Sequence, residues 1–456
     1  MAELANLRNA AREIFATALH SVDAGEAVRR AVRLDGARLT VADTTLDLAS
    51  HGSRVYAVAI GKAAPAMAAA LDDILGNSIT SAVITGPAIQ QHQDGIARSL
   101  PPRRWQFFAG GHPLPNQDSL NAAQACFDLL QRAEAERAIV LFLISGGGSA
   151  MLEWPIDNQI TLAELSEANR LLVSCGASIA EINAVRRAIS AVKGGRLAAQ
   201  APNAAQVTLI ISDTNSGDEA SVASGPTVAA AADAQDARVI VGGYETLAKL
   251  PFSILKAIND QRPRVQEGRQ EIRPRQHYVL LDNHTAIEAA AQTARRFGLL
   301  TEIAFDVVEP KIEAGCPLLL SRLETLRSQN NGTQAAVCLI SGGEFLCPVR
   351  GNGVGGRNAE TVLRCAIEID NQDGQLGDAR SIVILSAGTD GIDGNSPAAG
   401  AIADTTTLKR ARALNLDARS FLEASDAFSF FNKLGDTVST GATGTNVRDL
   451  RILLAR

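Results

Sequence analysis

Positive charge is in short supply. The chain carries 43 Lys and Arg against 49 Asp and Glu, a net charge of −6, so electrostatics gives no case for binding nucleic acid or an anionic membrane. Any bound anion must be caught locally, by loops and a few cations. Long apolar runs are missing too, and none is long enough to span a membrane. The opening MAELANLRNAAREIFATALH interrupts its apolar residues with charges, unlike the core of a signal peptide. The six cysteines (Cys126, Cys175, Cys316, Cys338, Cys347, Cys365) contain no C-x-x-C pair, and several sit in apolar runs, as buried thiols do. These absences point to the cytoplasm. Six histidines, none paired at metal-ligand spacing, argue against a zinc site. Neither G-x-x-x-x-G-K-[ST] nor G-x-S-x-G occurs, so there is no P-loop and no nucleophile elbow.

What is present is a recurring unit. A length of 456 residues favours two or three domains. Leu4, Leu7, Ala11, Ile14 and Ala18 recur at helical spacing and predict an amphipathic helix at the start. Five short runs rich in Val, Ile and Leu each end abruptly in small and polar residues. They are VYAVAI before Gly61-Lys62, IVLFLI before Ser145, VTLII before Ser212-Asp213, AVCLI before Ser341 and IVIL before Ser386. Such runs read as strands buried on both faces, as in parallel sheets. Alanine-rich helical segments, AAPAMAAALDDIL and NHTAIEAAAQTARRFG among them, separate many of the runs, so the fold class is α/β. Open α/β sheets bind ligands beyond the carboxyl ends of their strands, which is where all five runs place Gly, Ser, Lys, Asp or Glu. The charged, proline-bearing stretch Asp260 to Arg275 is the expected domain change.

Two glycine-rich loops are the candidate anion holders. Ser145, Gly146, Gly147, Gly148 and Ser149 follow one strand run, and glycine permits close backbone approach. LISGGE, ending at Glu344, nearly copies LISGGG, as two similar loops in two domains would. In VRGNGVGGRNAE, Gly351, Gly353 and Gly356 match the letters of a dinucleotide fingerprint, with Gly355 between them. That fingerprint requires a buried strand directly before it. The preceding FLCPVR contains Pro348, which cannot donate to a ladder, so it reads as an edge strand or hairpin arm. The loop either opens a helix toward an anion, with Asn358 capping and Arg357 adding a planar charged fork, or only turns a hairpin. Lys62 lies between a strand and a helix, where an ammonium can reach a phosphate. Asp213, Glu344 and Asp390 stand at three strand ends, with Asp218 and Asp393 nearby. Such acids can hold Mg²⁺ or accept a proton from an attacking hydroxyl, although each alone is more often a cap or turn former. His112, in the proline-rich GGHPLPNQDS, reads as a structural hydrogen-bonder. NAVRRAISAVKGGRLA reads as a basic helix in which Arg186 or Lys193 could face an acidic substrate. STGATGTNVRDL reads as a cap at Thr445 and Asn446 before a final short helix.

In order along the chain, AIGKAA, GGHPLPNQDS, LFLISGGGSAMLEWP, INAVRRAISAVKGGRLA, SDTNSGDEASVASGPT, LISGGE, GNGVGGRNAE, SAGTDGIDGNSPAAGAIAD and TGATGTNVRDL resemble the glycerate 2-kinase family, also called class II glycerate kinases or the MOFRL family. The resemblance runs from residue 60 to the C-terminus. It implies an ATP- and Mg²⁺-dependent kinase that makes 2-phosphoglycerate from D-glycerate. It implies a larger Rossmann-like domain over residues 1–265 and a smaller MOFRL-type α/β domain over 276–456, part of whose C-terminal stretch packs back on the first, with the active site in the cleft between them. Lys62 and Arg357 fall on the family's functional lysine and arginine, and Asp213, Glu344 and Asp390 on its acids. The expected substrate and nucleotide contacts are Ser145 to Ser149, Glu344, Gly353, Gly355, Gly356 and Asn358, with the two glycine-rich loops cradling ATP and glycerate oxygens. The sequence departs from the family at Thr214 to Glu219, where SDV-x-GDD is usual, at Ala442, where proline is usual, and at VLLDNHTAIEAA. The expected partners are small molecules only, with no nucleic acid or membrane, and the chain is expected to be a monomer or homodimer. Two other readings remain open: an NAD(P)-dependent hydroxypyruvate reductase, and a non-catalytic sensor of glycerate or nucleotide.

Overall fold

All five apolar runs form strands, and each residue of those strands is buried. The computed structural model describes residues 2–88, 103–215, 217–229, 235–260, 275–330, 336–376 and 381–456. The chain divides into two units, residues 24–280 and residues 1–23 with 281–456.

In unit 24–280, β1 (Val32–Asp35), β2 (Arg38–Val41) and β3 (Thr44–Asp47) make a small antiparallel sheet. The main sheet holds β4 (Val55–Ile60), β5 (Ile79–Gly86), β6 (Trp105–Ala109), β7 (Ile139–Ser145), β8 (Ala205–Ile211) and β9 (Gln276–Leu281), in the order β6-β5-β4-β7-β8-β9. β4 to β8 pair in parallel. The chain builds outward from β4 to β6, returns to the far side of β4 at β7 and continues outward. That is the strand order of the Rossmann fold, and its direction reverses between β4 and β7. Helices Ala64–Leu75 and Gln117–Ala135 connect the strands. The second of these is capped by Asn116, whose side chain accepts the Ser119 N–H at 2.9 Å. A separate helical core forms from Leu162–Ser174, Ile179–Ile189, Ala237–Gly243 and Phe252–Asn259.

In the other unit, β10 (Leu300–Ile303), β11 (Val337–Gly343), β12 (Ile382–Gly388), β13 (Gly400–Asp404), β14 (Thr437–Val438) and β15 (Asp449–Ala455) form a sheet ordered β10-β11-β15-β12-β13-β14. Helices Ile312–Gln329 and Arg357–Leu376 help bury one face, and Asn283–Arg296 with Ala2–Ser21 covers the other.

The structure departs from the sequence expectations in several places. The sheet containing β11 and β12 is mixed, because β15 lies antiparallel between them. β15 is the segment DLRILLA that the sequence reading closes with a short helix. All seven of its residues are buried, as a central strand requires. FLCPVR forms no strand and makes a single bridge, Lys311 to Leu346. The basic helix stops at Ile189, because Ser190 is extended at φ −121 and ψ 137. The first helix lies in the unit with 281–456, outside the 1–265 assignment. Its buried Leu7, Ala11, Ile14, Phe15 and Ala18 share a core with β12 and β15, and Arg8 pairs with Asp404 at 2.6 Å and with Asp436. The C-terminal strand stays at the centre of its own unit's sheet. Most of the expected linker, residues 261–274, lies outside the described residues. Among the described residues no helix is long and apolar enough to cross a membrane. Cys126, Cys316, Cys338 and Cys365 are buried, as the apolar runs around them imply.

Candidate active site

Unit 24–280 gathers its candidates where the strand order reverses. The turn after β4 is stitched to the turn after β7: Lys62 N–H donates to Gly146 O at 2.8 Å, and Ala63 N–H donates to Ser145 Oγ at 3.0 Å. Ser145 Oγ in turn donates to Ile60 O at 3.2 Å. Asp213, at the end of β8, lies directly against Gly146, and a Cβ there would stand 1.9 Å from Asp213 Oδ2. Gly147 turns at φ +80, with the Lys62 stem and the His112 ring bordering it on the side a Cβ would take. Lys62, His112, Asp213 and Ser145 to Ser149 therefore form one cluster at the carboxyl edge of the sheet. Ser149 is tied in through Ser224 Oγ at 2.7 Å, which donates to Asn183 Oδ1 at 2.9 Å. Among the described residues, no acceptor is bonded to the backbone N–H of Gly147, Gly148 or Ser149. Such a turn can offer those donors to an anion beside an ammonium. His112 looks structural from sequence, and only the folded turn brings it to Gly147.

The second cluster lies in the other unit. β11 and β12 run in the same direction on either side of β15, so Glu344 and Asp390 follow strands that end at the same edge of the sheet, and Asp449 begins β15 between them, opposite Gly343 and Gly388. Arg357, the first residue of its helix, donates from Nε to Asp449 Oδ2 at 2.5 Å and from Nη2 to Asp449 Oδ1 at 3.1 Å, and it pairs with Glu344 Oε1 at 2.8 Å. Burial alone would lower the pKa of the guanidinium. The charge and hydrogen bonds of Asp449, then the charges of Glu344 and Asp393, outweigh burial and raise it. Asn358 Nδ2 also donates to Asp449 Oδ1, at 2.9 Å, and Ser386 Oγ donates to Asn358 Oδ1 at 2.6 Å. Asp449 escapes the sequence reading because DLRILLA is taken there as a helix. Read as a strand, it places an acid between two other acid-bearing strand ends. Beneath, the fully buried Arg451 donates to Gly342 O and to Ser341 Oγ at 3.2 Å, and lies 3.8 Å over the Phe345 ring. Burial lowers its pKa to about 10.

The GNGVGG loop does not present the donors expected of it. Gly353 N–H is bonded to Ala424 O at 3.0 Å, Val354 N–H to Asp426 Oδ1 at 2.8 Å and Gly355 N–H to Asn395 Oδ1 at 2.8 Å. The helix that follows is capped from a distance. Asp393 accepts Asn358 N–H at 2.9 Å and Ala359 N–H at 2.8 Å, which displaces Asn358 from the expected cap role. A Cβ on Gly356 would stand 2.3 Å from Asp393 Oδ1, so the loop's glycine here makes room for an acid of the same chain. Burial pushes the Asp393 carboxyl up to about 7, with the charge of Asp449 adding and the two backbone donors and Arg357 opposing.

Other candidates resolve differently. Lys193 is buried and paired with Glu153, which also accepts Ser190 Oγ at 2.5 Å, so this ammonium serves the interior and does not face a substrate. Burial lowers the Lys193 pKa, against the pull of Glu153. Arg186 donates to Asn169 Oδ1 at 2.9 Å. Asn446 accepts Arg448 N–H at 3.1 Å in an irregular segment leading into β15, so it caps no helix. Asp218 accepts Ser221 Oγ at 2.8 Å. Of the loop that departs from the family pattern, Ser216 and the side chain of Glu219 lie outside the described residues. Among the described residues no three His, Cys, Asp or Glu side chains are grouped to hold a metal ion. Asp213 belongs to one unit, and Glu344 and Asp390 to the other.

Comparison with known proteins agrees with this architecture. Residues 10–259 match a family model described as a domain of unknown function, DUF4147, and residues 337–449 match the MOFRL family. A glycerate 2-kinase of Pyrococcus horikoshii is 32% identical over 98% of this chain and 97% of its own. A putative hydroxypyruvate reductase of Agrobacterium vitis is 34% identical over 88% of this chain and 87% of its own. The crystal structure of a glycerate kinase from Thermotoga maritima superimposes with a TM-score of 0.78 at 29% identity, covering 98% of this chain and 99% of that one.

Proposed function

We propose, for a chain that belongs to the glycerate 2-kinase family and matches the MOFRL family over residues 337–449, that it transfers the terminal phosphoryl group of ATP to D-glycerate, giving 2-phospho-D-glycerate and ADP. The observation that carries this reading is the cluster at the reversal of the β4–β7 strand order. There an ammonium, a carboxylate and a turn with unclaimed N–H groups share one edge.

Phosphoryl transfer asks a protein chiefly to position the reactants and to compensate charge. The Gly147, Gly148 and Ser149 N–H groups hold anionic oxygens of the bound reactants, and Lys62 adds a point charge beside them. Asp213, held against Gly146, accepts the proton of the attacking glycerate hydroxyl. Arg357 orients an oxyanion through directed N–H donors, since Asp449 already balances its charge. Carboxylate oxygens are the ligand type Mg²⁺ takes. It usually binds one or two carboxylates together with substrate phosphates and needs no protein cage. Glu344 and Asp390 would hold it, and it would offset charge on the ATP phosphates. The test is direct: ADP release that requires D-glycerate, with carbon-resolved NMR placing the phosphate on carbon 2.

One relative's name keeps a second reading, reduction of hydroxypyruvate with a nicotinamide cofactor. The first strand-to-helix turn of the Rossmann-order sheet reads Gly61-Lys62-Ala63-Ala64, without the G-x-G-x-x-G that a pyrophosphate requires. A change in nicotinamide absorbance with hydroxypyruvate, and no ADP from glycerate and ATP, would reverse the choice.

A further inference from the structure

Arg357 is held along one edge of its planar fork. Nε and Nη2 both face Asp449, and Nη2 also meets Glu344. Nη1 has no hydrogen-bond or ion-pair partner among the described residues, although the side chain is 36% exposed. The holder is itself fixed. The Asp449 side chain is 1% exposed and accepts Asn358 Nδ2 at 2.9 Å. Its own carbonyl accepts Asn283 Nδ2 at 3.0 Å. Its strand neighbours across both ladders are Gly343 and Gly388, so no side chain competes for the space beside the carboxylate. A buried carboxylate is costly unless paired and bonded, and here both oxygens are used on the Arg357 helix.

We propose that Asp449 is the positioning residue for Arg357: its side-on, two-bond grip sets the guanidinium so that the Nη1 edge is left to an oxyanion of the reactants. A guanidinium gripped at Nε and Nη2 keeps its plane and direction, which a flexible ammonium could not. Because the pair is close to neutral, the arginine acts by the direction of its remaining donors more than by net charge. The inference rests on the kinase reading for its kinetic arm only.

The test is a mutant cycle of Asp449→Asn, Arg357→Ala and the double variant, with kcat and KM measured for D-glycerate and ATP. A positioning residue acts through its partner, so Asp449→Asn lowers kcat/KM by about 10- to 100-fold in the wild type and less than about 2-fold in the Arg357→Ala background. Equal losses in both backgrounds would overturn the proposal and leave Asp449 a purely structural acid. A second readout needs neither activity nor a folded Asp449 variant. The Nε–H resonance of Arg357, assigned by its loss in Arg357→Lys, is expected to exchange slowly with solvent in the wild type. Fast exchange there, at the rate of a solvated arginine, overturns the proposal by itself. A wild type that releases no ADP with glycerate refutes the kinase reading, and the exchange measurement still decides the positioning.

Discussion

Lys62 and Gly146 are joined by a backbone hydrogen bond of 2.8 Å that ties the turn after β4 to the turn after β7. This bond uses the main chain of Lys62, so truncating the side chain leaves it in place. Lys62→Ala is therefore expected to lower kcat with D-glycerate and ATP by about 100-fold or more, roughly 2.7 kcal/mol of barrier. The thermal midpoint should move by no more than a few degrees. Coupled ADP assays and thermal unfolding measure both. Turnover close to wild type would remove Lys62 from the site.

Gly146 has no room for a side chain. The Cβ of Gly146→Ala would stand 1.9 Å from Asp213 Oδ2, so the carboxylate must move or the turn must shift. The expected cost is about 1–3 kcal/mol in urea unfolding, as for other overpacked sites, together with loss of activity. Adding Asp213→Ala to the same chain should restore stability and leave activity lost. If stability stays low in the pair, the clash lies elsewhere.

The buried Lys193–Glu153 pair predicts an asymmetric response. Lys193→Met leaves an unpaired carboxylate in the interior and should cost about 3–5 kcal/mol. Glu153→Gln added to it should recover part of that loss, because the unpaired carboxylate is then gone although the buried Arg186 remains beside it. Denaturant midpoints of the two variants decide the matter, and a single variant as stable as wild type contradicts the buried pairing.

Asp393 predicts an unusual pH dependence. Burial raises its folded pKa to about 7, above the ~3.9 of an unfolded aspartate, so between those values the folded state binds the proton more tightly. The contribution of Asp393 to stability is thus fully present at low pH and is lost as pH rises from about 4 toward 7, by at most about 1.4 kcal/mol per pH unit. Asp449 and Arg357 face it and do not reverse the sign. In Asp393→Asn this loss should vanish, so wild type falls relative to the variant across that window when urea unfolding is followed between pH 4.5 and 8. Parallel curves would show that the acid is not buried in this way.

Much of the fold is legible in the residues themselves. The five apolar runs mark their strands because a strand buried on both faces needs an unbroken apolar stretch. The small residues after them mark the sheet edge where chemistry is placed. The likeness between LISGGG and LISGGE is also structural, for Gly147 and Gly343 both turn at φ +80. Lys62, Asp213 and Ser145 to Ser149 stand at those polar ends, the family resemblance singles them out there, and the structure brings them into one cluster.

What local pattern leaves undecided is which segment meets which. DLRILLA is short and apolar, and its length and periodicity do not distinguish helix from strand. Only the two open ladder edges of β11 and β12 make it a strand and bring Asp449 to Arg357. The loop GNGVGG resembles an anion loop in sequence, yet the N–H groups of Gly353, Val354 and Gly355 meet Ala424, Asp426 and Asn395, partners 40 to 72 residues away. Neighbouring residues are enough to mark the five buried runs and their polar ends, and the ordered motifs from residue 60 onward are enough to mark the family. Tertiary structure alone decided the sheet order, the home of the first helix and the hold on Arg357, because a buried group takes its hydrogen bonds from whatever the fold brings beside it.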